Sequence, residues 1–296
     1  MKRFSVYLSL LFVFGVAIAM VFDFVNVALI RVSTGATAYK IAHLFENSDS
    51  NEVAIVGSSR ACGHFIPSII STNCFNYGIS SMGVYEMMSL LNVLKRRGGL
   101  TPIICNLDPW GSFQRGQVAD YRLVPKNGPV STGRRIWGVR FWGSFYSNIE
   151  DFLNARYSIT RLIDHGAKVQ LNCRSREEWG AINARIKSET FLSDKDGENR
   201  FLALLGEFSP RKLYVVISPC SSRWNSLFKG REGLMKWIRR LQDVKNVRVI
   251  NYFDSMEFSD DDFADPTHLN LQGAKKLSTY VSRALEIDFQ RKLISR

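Results

Sequence analysis

The chain has 296 residues, of which 46% are hydrophobic and 22% charged, and it carries a formal net charge of +12. That length and apolar content suffice for one sizeable core with an insertion, or for two small domains, and exclude a predominantly disordered protein. The basic excess attracts anionic lipid, envelope polymer or nucleic acid non-specifically, but no RRM, zinc-finger or helix-turn-helix signature accompanies it, so no nucleic-acid partner is expected.

The chain opens with Lys2 and Arg3, followed by an apolar run from about Phe4 to Phe22 that carries no charge until Asp23. A run near 20 residues is long enough to cross a bilayer, and the basic flank assigns its start to the cytoplasmic side. Two readings stand for residues 1–30. One is an uncleaved anchor, favoured because Val25, Val27, Leu29 and Ile30 extend the apolar stretch; the other is a signal peptide with a small-residue site at Ala17-Ile18-Ala19. Both place the bulk of the protein outside the cytoplasm, in a periplasmic or other extracytoplasmic space. Residues 31–50 read as a polar connector with a short helix around AYKIAHLF.

From residue 51 onward, short apolar runs alternate with helical patterns. EVAIVG (52–57), NCFNYG (73–78) and TPIICNLDPW (101–110) read as strands. SSRACGHFIPSII has a helical pattern interrupted by Pro67, and GVYEMMSLLNVLKRRGG is a helix with Lys95, Arg96 and Arg97 in its last turn and Gly98 and Gly99 at its end. The alternation resumes with KLYVVISP (212–219), a helix on which Leu234, Trp237, Ile238 and Leu241 share a face, the strand NVRVINY (246–252) and a closing helix over LNLQGAKKLSTYVSRALEI. The pattern predicts an α/β fold: a three-layer α/β/α domain over 51–296 with a five-stranded, mainly parallel sheet whose working site lies at the carboxyl ends of the strands. An insertion at about 111–205 interrupts it, with helices expected near 148–164 and 176–192. Its aromatic and basic residues, with Trp110 beside it and Trp137 and Trp142 inside it, suit a sugar-stacking surface or ordinary core packing.

Five cysteines without a C-x-x-C pair cannot form a complete intramolecular disulfide set, and the histidines 43, 64, 165 and 268 lack zinc-site spacing. No metal and no cofactor are expected.

Two segments carry chemistry-bearing residues. Gly57-Ser58-Ser59-Arg60 follows the first strand and opens a helix, where a serine either caps the helix or lies ready as a nucleophile beside unpaired N–H groups. Asp265 and His268, two residues apart just before the last helix, are spaced for a carboxylate to orient an imidazole whose other nitrogen faces outward; capping and surface exposure are the plainer alternative. Both segments fall at the same sheet edge.

Together these residues resemble the SGNH (GDSL-like) hydrolase superfamily over about 50–108 and 210–288. The resemblance implies Ser59 as nucleophile, His268 as base and Asp265 as its orienting acid. It also implies oxyanion donors at the Ser59 amide, at Gly78 and at Asn106, the last within CNLDPW where the family has G-x-N-D. Serine at 58 in place of aspartate, behind a membrane span, is similar to extracytoplasmic members that accompany envelope-polymer acylation. The expected activity is therefore a serine acyl-ester hydrolase or O-acyltransferase acting on an acyl-ester or glycan substrate, with envelope-modification proteins as possible partners. A non-catalytic scaffold or polymer-binding module on the same fold is the alternative. Arg60 is expected either to bind an anionic group of the substrate or to be solvated, and His64 to pack or cap.

Overall fold

The structure is a computed structural model that describes residues 2–110, 145–171, 178, 180–181 and 190–294. Helix α1 (Lys2–Val32) leads to α2 (Thr37–Glu46) and strand β1 (Val53–Val56). The short helices α3 (Ser59–His64) and α4 (Pro67–Ile70) follow, then β2 (Cys74–Asn76), α5 (Val84–Arg97) and β3 (Ile103–Leu107). Helix α6 (Phe145–Tyr157) precedes the strands β4 (Arg161–Asp164) and β5 (Ala167–Gln170). Helix α7 (Lys195–Gly206), β6 (Leu213–Ile217), α8 (Ser222–Leu227), α9 (Arg231–Gln242) and β7 (Val247–Asn251) come next. The chain closes with β8 (Phe263–Asp265), β9 (His268–Leu269) and α10 (Leu271–Ile294).

The five strands expected from the apolar runs form one parallel sheet in the order β2-β1-β3-β6-β7. Near-continuous apolar runs make such strands because both faces are covered. Ala54, Val56, Ile103, Cys105, Val215 and Ile217 meet α2, α5, α7 and α9 on one face; Val53, Ile55, Ile104, Tyr214 and Val216 meet α3, α4 and α10 on the other. This is the three-layer α/β/α fold expected from the sequence, with the chain order reversing between β1 and β3. In open sheets of this kind the crevice beyond the strand ends at that reversal is where ligands bind.

Three local differences stand out. The helix expected over 148–164 ends at Tyr157, and an antiparallel hairpin, β4 with β5, follows it. Its two-residue turn, His165-Gly166, holds φ of 42° and 90°, and a Cβ on Gly166 would come within 2.2 Å of the Asn76 carbonyl oxygen. Helix α7, in the stretch read as insertion, packs against α5 as a layer helix. Of the helix expected near 176–192, residues 178, 180 and 181 are helical and 190–192 are not, while the rest, with Trp137 and Trp142, lies outside the described residues.

Helix α1 includes a 23-residue stretch, Phe4–Asn26, that is long and apolar enough to cross a membrane, with a mean hydropathy of 2.5 over its most apolar window. Its length and composition suit a membrane anchor or a signal sequence.

Gly57 ends β1 at φ 148°, where a Cβ would lie 2.6 Å from the Asn106 carbonyl oxygen and 2.8 Å from the Ala61 Cβ. Gly57→Ala therefore combines backbone strain with a clash against a neighbouring strand. It is expected to lower unfolding free energy by about 2 kcal/mol or more, read from urea titration.

Candidate active site

The paired serines divide the two roles that the sequence left open. Ser58 is the N-cap of α3: its hydroxyl accepts the Arg60 N–H at 3.2 Å and donates to Asp108 Oδ1 at 3.1 Å. Ser59, the first residue of the helix, is half-buried, and its hydroxyl points elsewhere. Its Oγ lies 2.9 Å from His268 Nε2, a contact between residues 209 positions apart.

Asp265 and His268 are presented by a tight ribbon in which β8 and β9 pair antiparallel and the two residues stand opposite one another. The turn between them is a miniature hairpin rather than the helix entry expected; the helix begins only at Leu271, capped by the Asn270 side chain, which accepts the N–H groups of Gln272 and Gly273. Asp265 Oδ1 accepts the N–H groups of Thr267 and His268, each at 2.9 Å, so the carboxylate closes the turn around itself. Both its oxygens lie 3.0 Å from His268 Nδ1. With Nδ1–H donating to the carboxylate, Nε2 accepts from the Ser59 hydroxyl, and alcohol, imidazole and acid form one hydrogen-bonded line.

Burial alone would push the Asp265 carboxyl up, but the His268 hydrogen bond and charge, with the two turn N–H groups, outweigh it and hold the group down at about 2. A carboxyl depressed in the folded state binds fewer protons than in the unfolded chain, so the stability it contributes is fully present above the ordinary value of 3.8 and is lost as pH falls through about 2. The difference in urea midpoint between the native protein and Asp265→Asn is expected to be largest above pH 4 and to shrink as pH falls toward 2.

His64 packs, as the sequence suggested, and also supports the ribbon. It is fully buried, its Nε2 accepts the Leu269 N–H at 3.2 Å, and its ring meets that of His268 edge to face at 5.9 Å. Burial, then the charges of Arg60 and His268, push its pKa well below the ordinary range, so it stays neutral and fixes the residue next to the base.

The other expected site residues are placed differently. Gly78 does not offer a free amide: its N–H donates to Asn76 Oδ1 at 2.9 Å, and its carbonyl accepts from the buried Lys40 ammonium. The glycine is there for close approach, since a Cβ would sit 2.5 Å from the Cys62 nitrogen of α3. Asn106 lies inside β3 rather than past its end, and its Nδ2 donates to the Val216 carbonyl and to Ser218 Oγ. Of the three expected oxyanion donors, the Gly78 amide and the Asn106 side chain are thus engaged elsewhere. The Ser58 cap takes the Arg60 N–H rather than that of Ser59.

Arg60 is not a substrate-facing cation. It is buried to 1% exposure; Nη2 donates to the Ser218 and Pro219 carbonyls at 2.8 and 2.6 Å, and Nη1 faces Asp108 at 3.8 Å. Its guanidinium lies over Trp110, which in turn packs edge-on against Trp224, so Trp110 is engaged in packing. Asp108 is nearly buried too. Desolvation raises its pKa, opposed by Arg60, by the Ser58 hydroxyl and by His268.

A further strut was not legible in the sequence. The Ser221 N–H donates to the Pro266 carbonyl at 3.0 Å, so the loop that receives Arg60 also holds the turn carrying Asp265 and His268. Among the described residues no group of three or more His, Cys, Asp or Glu is placed to hold a metal, and Cys62, Cys74, Cys105 and Cys220 are buried without forming a disulfide.

No family model matches the chain, and no curated protein matches it by sequence. Solved structures similar to it include a Streptococcus pneumoniae protein assigned as a platelet activating factor (12% identity, TM-score 0.41, covering 90% of this chain and 99% of that one). Another is assigned to the lipolytic proteins of the G-D-S-L family, from Desulfitobacterium hafniense (13%, TM-score 0.36, 79% and 98%). A third, from Bacteroides fragilis, is assigned as an acylhydrolase (11%, TM-score 0.35, 82% and 89%). At these identities and scores no activity passes from those proteins to this chain.

Proposed function

We propose that this protein is a serine acyl-ester hydrolase or O-acyltransferase of the SGNH kind, anchored by α1 with its α/β domain outside the cytoplasm. The observation that carries this reading is the Ser59–His268–Asp265 line at 2.9 and 3.0 Å, at the carboxyl edge of the sheet.

In that reading the Ser59 hydroxyl passes its proton to His268 Nε2 as Oγ attacks the ester carbonyl. Asp265 holds the Nδ1–H tautomer and stabilises the imidazolium. The tetrahedral oxyanion forms beside the N-terminus of α3, with the Ser59 amide as the donor that the resemblance implies. Collapse expels the alcohol, which takes the proton back from Nε2 and leaves an acyl group on Ser59 Oγ. A second alcohol or a water then gives its proton to Nε2 and attacks the acyl-enzyme, which releases Ser59. Water makes the protein an esterase; a glycan or polymer hydroxyl makes it an O-acyltransferase. An envelope glycan or polymer is the favoured acceptor, because a basic-flanked N-terminal span read with its start in the cytoplasm leaves the domain outside, and the net charge of +12 favours anionic polymers. Partner proteins of an envelope-modification system fit the same setting; nucleic acid does not.

A second reading, a non-catalytic scaffold or polymer-binding module, is favoured by one observation: the Gly78 amide and the Asn106 side chain are both engaged elsewhere. A fluorophosphonate probe separates the two. The enzyme reading expects labelling of the native protein that disappears in both Ser59→Ala and His268→Ala. No labelling of folded native protein, with polymer binding unchanged in Ser59→Ala, would establish the scaffold. Release of free acid against acylated saccharide from one acyl donor then distinguishes hydrolysis from transfer.

A further inference from the structure

Helix α6 buries polar side chains and exposes large apolar ones, although Ile149 and Phe152 are half-buried and Glu150 and Arg156 exposed. Asp151 and Asn154 are each only 2% exposed: Asp151 pairs with Lys168 of β5 at 2.5 Å, and Asn154 Oδ1 accepts the N–H groups of Thr160 and Arg161. The solvent side carries the large apolar side chains instead, with Tyr146 at 85% exposure, Leu153 at 37% and Tyr157 at 66%, continued by Ile159 at 58%. Positions 146, 153 and 157 are spaced i, i+7 and i+11 and form one stripe along the helix, which also carries Glu150 at i+4, its charge paired with Arg161 at 3.7 Å. A water-facing helix is arranged the other way round, and a stripe of this kind marks a surface that meets something apolar.

The position of α6 indicates what that is. It packs against α1, the helix that contains the candidate span. Along α1 the side chains from Phe4 to Val25 are largely exposed, and the first buried residue among those described is Asn26, where the span ends. Helix α1 then continues to Val32, only about 9 Å beyond the span. The α/β domain therefore begins within the headgroup layer of the bilayer that α1 enters. Tyrosines with one apolar and one polar end concentrate at that depth. The exposed Arg156 at the end of α6 adds a cationic group suited to anionic headgroups, while Arg161 beyond it neutralises Glu150 at 3.7 Å.

We propose that the outer face of α6, through Tyr146, Leu153, Tyr157 and the adjoining Ile159, rests in the headgroup region of the membrane that α1 spans, giving the domain a second, interfacial attachment. This rests on reading α1 as an uncleaved span. The attachment fixes the tilt of the domain against the bilayer, which a single helix leaves open. The tie from Asp151 to Lys168, and from β5 to α3 packed against it, joins this face to the helix that bears Ser59.

The test uses the full-length protein in nanodiscs of phosphatidylcholine and phosphatidylglycerol. Cys173 is replaced by serine; Cys62, Cys74, Cys105 and Cys220 are buried. Spin labels are placed singly at Leu11→Cys within the span, Tyr157→Cys on α6 and Met256→Cys, a site with 98% exposure. Collision with dissolved oxygen reports lipid, and collision with a water-soluble nickel complex reports solvent. The expected result is lipid-like behaviour at 11, water-like behaviour at 256, and at 157 a nickel accessibility several-fold below that at 256 with oxygen accessibility retained. A label at 157 as open to nickel as the one at 256, with 11 still lipid-like, overturns the docking and leaves the span intact. A label at 157 shielded from both reagents overturns it in favour of a protein partner. Water-like behaviour at 11 overturns the span, and the docking with it.

Discussion

Ser59→Ala is expected to abolish ester turnover, lowering kcat by roughly 10⁴-fold or more, because the alcohol that begins the reaction is gone while base and acid remain. The fold should be untouched. The cap of α3 belongs to Ser58, whose hydroxyl takes the Arg60 N–H, and the half-buried Ser59 side chain gives up only its bond to His268. Thermal unfolding of the variant should therefore superpose on that of the native protein to within about 1 kcal/mol, the scale of one hydrogen bond. A variant that kept its turnover would remove Ser59 from the chemistry.

The second large effect is expected at Arg60, and it is on stability before activity. Arg60→Ala withdraws the donor from the Ser218 and Pro219 carbonyls and leaves Asp108 without its nearby cation in a nearly dry setting. Losing one partner from such a buried set costs about 3 kcal/mol, which urea unfolding would register as a clear drop in midpoint. Activity should fall further than the loss of folded protein explains, because the 218–221 loop also holds Pro266 through the Ser221 N–H. Arg60→Lys keeps the charge but not the two-pronged donor and is expected to fall between the two. If Arg60→Ala unfolds at the native midpoint, the guanidinium is not the tie that its contacts suggest.

The frame was legible because it rests on local pattern plus one general rule. VAIV, IICNL and LYVVI are apolar without alternation, as strands covered on both faces must be, and α/β alternation brings their ends to one edge. Spacing suggested that Asp265 and His268 could pair but left capping open, and only the resemblance brought them to Ser59; the turn joining them proved to be a two-strand ribbon. The hairpin β4–β5 left a fainter trace: four residues on each side of His-Gly are too few to show a period, and only the glycine hinted at a turn with positive φ. The direction of Arg60, the Gly78 amide and the Asn106 side chain could not be read from neighbours in sequence. Each is fixed by a partner supplied by tertiary structure, such as the carbonyls 158 and 159 positions onward for Arg60. Asn106 shows the physical reason most plainly: an amide inside a buried strand must satisfy its donors at once, and Val216 and Ser218 are the acceptors within reach.

The separation of 209 positions between Ser59 and His268 also governs when the protein comes to life. A chain delivered amino end first exposes its alcohol long before its base exists. On the proposed function, the half-made protein is inert toward esters until the ribbon after Asp262 has emerged and docked. Competence then arrives with the last stretch of chain, and any product broken off before that point is silent.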